Sequence, residues 1–438
     1  MARREPMATT SATASLQRRT LGVFTTNIVV LAIGYVGSII LARFLGADGR
    51  GLVAVILTAT AVLAGLGGVG THEAATYYAS RRARRRPYVL GNGLAHAAGL
   101  LVISLVAAYL LMGALQRHVA PHYDRRIWLL AGLLVPSYYL YELVTSMLSA
   151  EGAFAFRNRL NVTARISTTA ATLAIVGWLG WGVPGALVAS MPALLVPVAG
   201  GMRLLARNGI ALSRTVHSAS LRYGARVQVG SLLTFLNARF DVLVLSAFAP
   251  LAVVGSYAVA QLVAELVLLF PMSLGYVLRA QVASGRQNDS LSGAAMRLNG
   301  TLVGICVALV LLAGPATIIY GYGPGFRSAL VPFLILLPGM WFLSTGGLVQ
   351  NALSGRGRPG LSSLLAGGEV VITVGLDFAL IPRYGAVGGA VASVCAYAFY
   401  GIASVATIAR LDAVPARTLL FASRSELRSF VTTLRSRG

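Results

Sequence analysis

The feature that most constrains this chain is its alternation between long apolar runs and short segments that contain arginine. A membrane-spanning helix needs about 20 mainly apolar residues, and twelve runs are of roughly that length or longer. They are Leu21–Leu45, Leu52–Tyr77, Tyr88–Leu115, Ile127–Leu148, Asn161–Trp181, Pro184–Leu205, Val227–Ala249, Leu251–Val282, Leu298–Tyr320, Ala329–Leu353, Leu361–Ile381 and Tyr384–Ala409. Little of the 438-residue chain lies outside them. The sequence therefore predicts an all-α polytopic membrane protein with twelve transmembrane helices.

The net charge of the chain supports this class once it is read together with hydropathy. A net charge of +23 would by itself suggest a nucleic-acid partner. However, 56% of the residues are hydrophobic, only 11% are charged, and the mean hydropathy is +0.75. A soluble basic domain does not have this composition, so we expect no nucleic-acid partner.

The distribution of arginine predicts which ends of the helices face the cytoplasm. With the amino terminus inside, 28 arginines fall on the inner side and 7 on the outer side, and Arg239 lies within a span. Cytoplasmic loops are enriched in basic residues. We therefore expect the protein to lie in the cytoplasmic membrane with both termini in the cytoplasm. The inner arginines are also expected to attract anionic membrane lipids.

Two echoes in the sequence indicate an internal duplication. Gly182–Ser190 matches Gly385–Ser393 at five of nine positions, and Gly51–Val55 loosely matches Gly255–Val259 at nearly the same offset. The duplication predicts two six-helix lobes with a cleft between them. The two lobes would be related by an axis along the membrane normal. The predicted lobes are 1–206 and 227–410, joined by an arginine-rich cytoplasmic linker at 207–226 and followed by a cytoplasmic tail at 411–438.

Several stretches resemble the polysaccharide exporter family, the O-antigen (Wzx-type) flippases of the MATE-like multidrug/oligosaccharidyl-lipid/polysaccharide superfamily. The resemblance lies in Leu41–Gly51, Arg239–Asp241, Val254–Val259, Leu353–Gly357 and Leu380–Ser393. It implies a transporter, not an enzyme, that flips an undecaprenyl-pyrophosphate-linked oligosaccharide across the cytoplasmic membrane for polysaccharide biosynthesis. Assembly proteins such as a polysaccharide polymerase are the further partners that it implies. Lipid II flippases usually carry two more helices than this sequence predicts.

Ionisable residues within the predicted spans are the candidate site residues, because each costs about 2.5–3.5 kcal/mol at the bilayer centre on insertion scales. Arg239 could bind pyrophosphate through its planar fork, or it could form an ion pair with Glu265. Asp241 lies about 200° from Arg239 around the helix, so the two should point to different faces. Tyr257, Gln261 and Glu265 share one face of the next helix, where Glu265 pairs with Arg239 or carries a coupling proton.

Other polar residues form a second group of candidates. Arg165 belongs to a polar stripe near an inner helix end, and Arg43 and Arg50 lie at an outer turn where they pair locally with Asp48 or contact a departing head group. Glu142 and Glu369 are candidates for ion coupling or ion pairing. Asp377 is expected to cap a helix or to pair locally.

The sequence contains no metal-ligand spacing, nucleotide-binding loop or nucleophile–base arrangement, so we expect no metal and no cofactor. Two alternatives to the flippase remain open. A MATE-type drug or cation antiporter would favour an acidic cavity. A membrane polysaccharide polymerase or ligase would use an outer loop, and the longest one here, Gln116–Arg126, contains basic side chains.

Overall fold

The computed structural model describes residues 7–119, 121–268, 289–356, 358–423 and 426. These residues form helices and no strand, in agreement with the predicted all-α class. The α-helices in chain order are α1 Met7–Gly68, α2 Thr71–Arg81, α3 Arg86–His118, α4 Ile127–Ala150, α5 Phe154–Ala171, α6 Gly182–Leu205, α7 Arg214–Phe248, α8 Leu251–Ala264, α9 Asp289–Ala316, α10 Leu330–Gly355 and α11 Pro359–Leu411.

Eight helical stretches in the described residues are long and apolar enough to cross a membrane. Two of them are about twice the necessary length, and each contains a glycine with a left-handed backbone. Gly46 has φ 67° within α1, and Gly385 has φ 54° within α11. Because a left-handed residue breaks the helical hydrogen-bond ladder, each of these long helices bends sharply there. The chain is a multi-pass membrane protein.

The first compact unit comprises Met1–Leu232. In it α4 packs against α1, α2, α3 and α6, and α5 packs against α1 and α6. Its core lies between α3, α4 and the end of α6, where the ring of Tyr139 is almost fully buried beside Leu143 and Met147. In contrast, α3 exposes a run of large apolar side chains from Val102 to Leu111, as expected of a helix that faces lipid.

The helix is interrupted between α1 and α2, within the second predicted span. Val69 has φ 46°, a strained conformation for a β-branched residue. The carbonyl groups at the end of α1 are bound by side chains from distant helices: Gln228 donates to Gly65 at 3.0 Å, and Nε2 of His96 contacts Gly67 at 2.8 Å. These bonds compensate for the lost helical partners.

The second compact unit comprises Leu233–Gly438. In it α10 packs along α11 and also against α8 and α9. The buried cluster between them includes Leu348, Leu353 and Tyr400. After α11, the tail turns back toward α9: Leu419 is buried, Phe421 stacks on Trp341 with ring centroids 5.9 Å apart, and Glu426 forms an ion pair with Arg297.

Helix boundaries differ from the predicted spans mainly at α7. This helix begins at Arg214, so much of the segment 207–226, predicted from its polarity to be a linker, is helical. Hydropathy marks only the apolar part of a helix, whereas the backbone hydrogen bonds continue into the polar flank. The end of the predicted span Leu251–Val282 lies outside the described residues.

Candidate functional site

A polar cluster between α7 and α8 contains most of the site residues predicted in the second unit. Arg239 of α7 donates through Nη1 to Oε1 of Gln261 at 2.8 Å and through Nη2 to Oε2 of Glu265 at 3.3 Å. The Arg239 side chain is 35% exposed and that of Glu265 is 30% exposed. A guanidinium has five N–H donors, of which these bonds use two. The remaining donors have no hydrogen bond to described residues, so the group has capacity for an anionic ligand.

Asp241 of α7 forms the buried end of this cluster. It is 2% exposed, and it accepts a hydrogen bond from the hydroxyl of Tyr257 at 2.5 Å and one from the backbone N–H of Val242 at 2.7 Å. The Tyr257 hydroxyl also lies 3.5 Å from Oγ of Ser393 on α11. Helices α7 and α8 therefore meet at this carboxylate, and α11 approaches the tyrosine that binds it. The hydrogen bonds of the carboxylate reduce the cost of burying it.

Gln261 connects the exposed and the buried ends of the cluster. Its amide oxygen accepts from Arg239, and its amide nitrogen lies 3.4 Å from Oδ2 of Asp241. Arg239 and Asp241 were predicted to point to different faces of α7, yet both side chains contact Gln261 of α8. The four-residue spacing of Tyr257, Gln261 and Glu265 brings all three to this contact, because such spacing aligns side chains along one helix face.

Helix α11 contributes two acidic residues whose side chains are buried among other residues. Glu369 is 3% exposed and lies within electrostatic range of Tyr397 and Tyr400. Asp377 is fully buried, and neither of its carboxylate oxygens has a hydrogen-bond partner in the described part of the chain. The expectation that Asp377 caps a helix or pairs locally is therefore wrong. It lies within electrostatic range of Asp241.

Sequence reasoning did not predict the complete burial of Asp377, although a signal was present. Glu369, Thr373 and Asp377 recur every four residues, which places them on one face of α11, and all three are buried. A face with two carboxylates would be excluded from lipid because of its desolvation cost. The same spacing argument that identified the polar face of α8 would have identified this one.

Candidate residues in the first unit are more dispersed. The Arg165 side chain of α5 is half-buried and crosses α1 at Gly34, where a side chain would contact it closely. Glu142 lies on an exposed face of α4, within electrostatic range of His72 and Glu73 at the start of α2. No hydrogen bond joins Arg165 and Glu142 in the described part of the chain.

The outer-turn arginines lie on either side of the bend in α1. Arg43 and Asp48 are exposed, whereas Arg50 is half-buried and donates to Oγ of Ser38 at 3.5 Å. Gly46 supplies the positive φ that the bend requires. This bend brings Arg43, Asp48 and Arg50 close together in the chain, and Asp48 also lies within electrostatic range of Tyr123.

Among the described residues, no group of three or more His, Cys, Asp or Glu side chains is arranged to hold a metal ion. Cys306 is half-buried and Cys395 is exposed, and both are free thiols. The second unit instead offers a partly exposed guanidinium, that of Arg239, near the buried carboxylates of Asp241 and Asp377.

The fold is similar to those of known membrane transporters. The structure of the lipid II flippase MurJ in an inward closed conformation aligns with a TM-score of 0.71 and 13% identity, over 91% of this chain and 89% of that one. An inward-facing multidrug resistance MATE family transporter of the MOP superfamily aligns with a TM-score of 0.67 and 17% identity, over 87% of this chain and 95% of that one. The MATE multidrug transporter DinF-BH aligns with a TM-score of 0.65 and 16% identity, over 93% and 96% of the two chains.

At these identities the structural similarity establishes the fold alone. A search of curated protein sequences finds no significant match. The family model described as polysaccharide biosynthesis protein matches residues 17–278, which is more than half of the chain. The MATE-like fold and this match confirm the resemblance noted in the sequence, and the chain belongs to the polysaccharide biosynthesis protein family.

Proposed function

We propose that this protein flips an undecaprenyl-pyrophosphate-linked oligosaccharide across the cytoplasmic membrane by alternating access. The observation that carries the proposal is the Arg239 guanidinium, which lies within a predicted span, is partly exposed, and retains N–H donors that bond to no described residue. A pyrophosphate needs a cation that stays ionised away from bulk water, and arginine satisfies that need with a bidentate geometry. The family and the transporter fold supply the context.

We propose that Gln261 and Glu265 hold the guanidinium in place until substrate arrives. An anionic substrate would compete with Glu265 for Arg239, since both present oxygen atoms to the same N–H donors. The 3.3 Å contact is long for a charge-assisted bond, which favours exchange of partners. Arg43, Arg50 and Arg165 are proposed as further cationic contacts along the path, and Tyr257 as a contact of the same cluster.

Coupling to an ion is proposed for the buried carboxylates. A fully buried carboxylate without a hydrogen bond is stable only if it holds a proton or a cation. Asp377 satisfies this description within the described chain, and Asp241 lies within electrostatic range. Glu369, Glu142 and Glu265 are secondary candidates.

Twelve spans with both termini in the cytoplasm are proposed, with lobes 1–206 and 227–410. The bends at Gly46 and Gly385 divide two long helices, and α5 and α7 are helices long enough to span that fall outside the eight apolar stretches. Duplication is supported by Gly182, which has φ 58° and aligns in sequence with Gly385 at φ 54°. A polysaccharide polymerase and other assembly proteins remain proposed partners.

A paired substitution tests the assignment of Arg239. We expect Arg239→Ala to abolish flipping of the pyrophosphate-linked oligosaccharide in proteoliposomes, whereas Glu265→Gln, which breaks the same ion pair but keeps the cation, retains at least part of the activity. Depletion in cells should make the complete lipid-linked unit accumulate in the cytoplasmic leaflet. If both variants lose abundance equally, Arg239 is structural.

The same experiment separates the alternative functions. Accumulation of unpolymerised units in the outer leaflet would indicate the polymerase or ligase instead. If the reconstituted protein transports cationic drugs but does not flip the lipid, the result would indicate the antiporter.

A further inference from the structure

A cavity of about 510 Å³ lies in the first unit, between α3 and the beginning of α7. Its lining contains no acidic residue. Asn92, His96, Arg214 and His217 supply polar side chains, and Ala95 and Leu212 supply apolar ones. Arg214 has no ion-pair partner among the described residues, so the cavity has an uncompensated positive charge. The proposed flippase activity does not use these residues.

The wall formed by the start of α7 is hydrogen-bonded to α3. Asn92 donates to the Ser213 carbonyl at 2.9 Å and accepts from the Ser213 N–H at 3.1 Å, and the N–H of Ala211 donates to the Pro87 carbonyl at 3.1 Å. The Ala211 carbonyl lies so close to Gly91 that a side chain there would clash with it. These contacts hold the amino terminus of α7, with its positive helix dipole, at the cavity.

The two histidines differ in the hydrogen bonds that they have available. A carbonyl oxygen only accepts, so Nε2 of His96 must carry the hydrogen in its contact with Gly67, and a neutral His96 has no second donor. The imidazole of His217 forms no hydrogen bond to any described residue, although its backbone N–H donates to the Ser213 carbonyl. Burial and the neighbouring His96 lower the pKa of His217, so a neutral imidazole is expected near pH 7 with one N–H donor for a ligand. Arg214 supplies the charge.

The loop that contributes Leu212 to the cavity exposes apolar side chains. Ile210 is 55% exposed and Leu212 is 70% exposed, although both belong to the short segment that joins α6 to α7. Exposed aliphatic side chains at the end of a membrane helix are stabilised by contact with lipid acyl chains. A basic cavity with an apolar edge matches an amphipathic anion better than a freely diffusing one.

We propose that this cavity binds the phosphate headgroup of an anionic phospholipid, with Arg214 and His217 contacting the phosphate and the acyl chains lying along Leu212 and Ile210. Two histidines are too few for a closed zinc site, which requires four ligands. A neutral zwitterionic lipid would place its own cation beside Arg214 and should bind less tightly.

Native mass spectrometry of the full-length, detergent-purified protein tests the proposal, with phosphatidylglycerol and phosphatidylcholine as probes. We expect the wild type to retain phosphatidylglycerol in preference to phosphatidylcholine. The double variant Arg214→Gln/His217→Gln should weaken retention about tenfold, because it removes charge-assisted hydrogen bonds to the phosphate. Arg222→Gln removes the same charge from an exposed position on the same helix and should leave retention unchanged.

A charge-neutral variant keeps the test independent of surface potential. Ala95→Phe should fill the cavity and reduce retention without altering charge. Equal effects of Arg222→Gln and the double variant, or equal retention of the two lipids, would overturn the proposal. Thermal stabilisation of the wild type by inorganic phosphate, without lipid retention, would assign the cavity to free phosphate and overturn the lipid assignment.

Discussion

Asp241 and Asp377 show that burial alone does not define what a carboxylate does. Asp241 is satisfied by Tyr257 and by the backbone of Val242. Asp377 is buried even more completely and has no such partner in the described chain. A satisfied group stabilises one arrangement of helices, whereas an unsatisfied one requires a proton or a cation whose gain and loss can change the arrangement.

Replacement of Asp377 by asparagine tests this difference at the residue scale. Asp377→Asn keeps the shape of the side chain and removes the need for a bound proton or cation, so we expect the Tm in detergent to be maintained while ion-coupled flipping falls at least tenfold. Asp241→Asn should instead lower the Tm, because the Tyr257 hydroxyl loses its charged acceptor. The reverse pattern of Tm values would contradict the distinction.

At the scale of elements, two glycine bends allow long helices to serve as pairs of shorter ones. Gly46 and Gly385 both adopt left-handed φ, and neither has another described part of the chain close to the position of a side chain. The requirement for glycine at these positions is therefore conformational rather than steric.

Gly385→Ala should reduce the free energy of unfolding by about 1–3 kcal/mol, because φ 54° with ψ −131° is a backbone conformation that essentially only glycine adopts without strain. Gly375→Ala is the matched control, since Gly375 lies in the same helix, has equally open surroundings and has no positive φ. The control should be neutral or slightly stabilising. The measurement is a denaturant titration in detergent, and equal losses for the two variants would refute the conformational explanation.

The tail after α11 is a second element whose position depends on a few contacts. Hydrogen bonds from Arg297 and from the Ser423 backbone hold the pKa of Glu426 at about 2, below its ordinary value of 4.5. Because the pKa is depressed in the folded state, the ion pair stabilises the docked tail above pH 4.5, and this contribution is lost as the pH falls toward 2.

Glu426→Gln should therefore loosen the tail at pH 7. We expect amide hydrogen exchange in Ala416–Leu419 to rise roughly two- to fivefold, the range for an ion pair that is about one-third exposed. Arg417→Gln, at an exposed position in the same segment, should leave exchange unchanged. At about pH 3 the difference between wild type and Glu426→Gln should shrink, and a difference that grows on acidification would contradict the assignment.

At the scale of the whole molecule, charge and hydropathy have separate roles. Apolar runs determine how many times the chain can cross the membrane, and arginines determine the direction of crossing. We therefore propose that most of the arginines set the orientation, and that only the few within the predicted spans or on the proposed outer side contact substrate.

Single-cysteine labelling tests that orientation. In a background with Cys306→Ser and Cys395→Ser, an impermeant maleimide should label His122→Cys in intact cells and Arg84→Cys only after permeabilisation, because α3 lies between the two positions. Both positions are exposed. Labelling of both from the same side would show that α3 does not span the membrane as proposed.

The sequence by itself determined the membrane class, the helical fold, the polar faces of individual helices and the family. These are properties of local pattern, because hydropathy and side-chain spacing act within one helix. Only the tertiary structure decided that Gln261 contacts both Arg239 and Asp241, that Asp377 is left without a hydrogen-bond partner in the described chain, and that Asn92 fixes the start of α7 beside a basic cavity. Such pairings depend on which helices pack together, and a helix face with polar residues can be satisfied by many different neighbours.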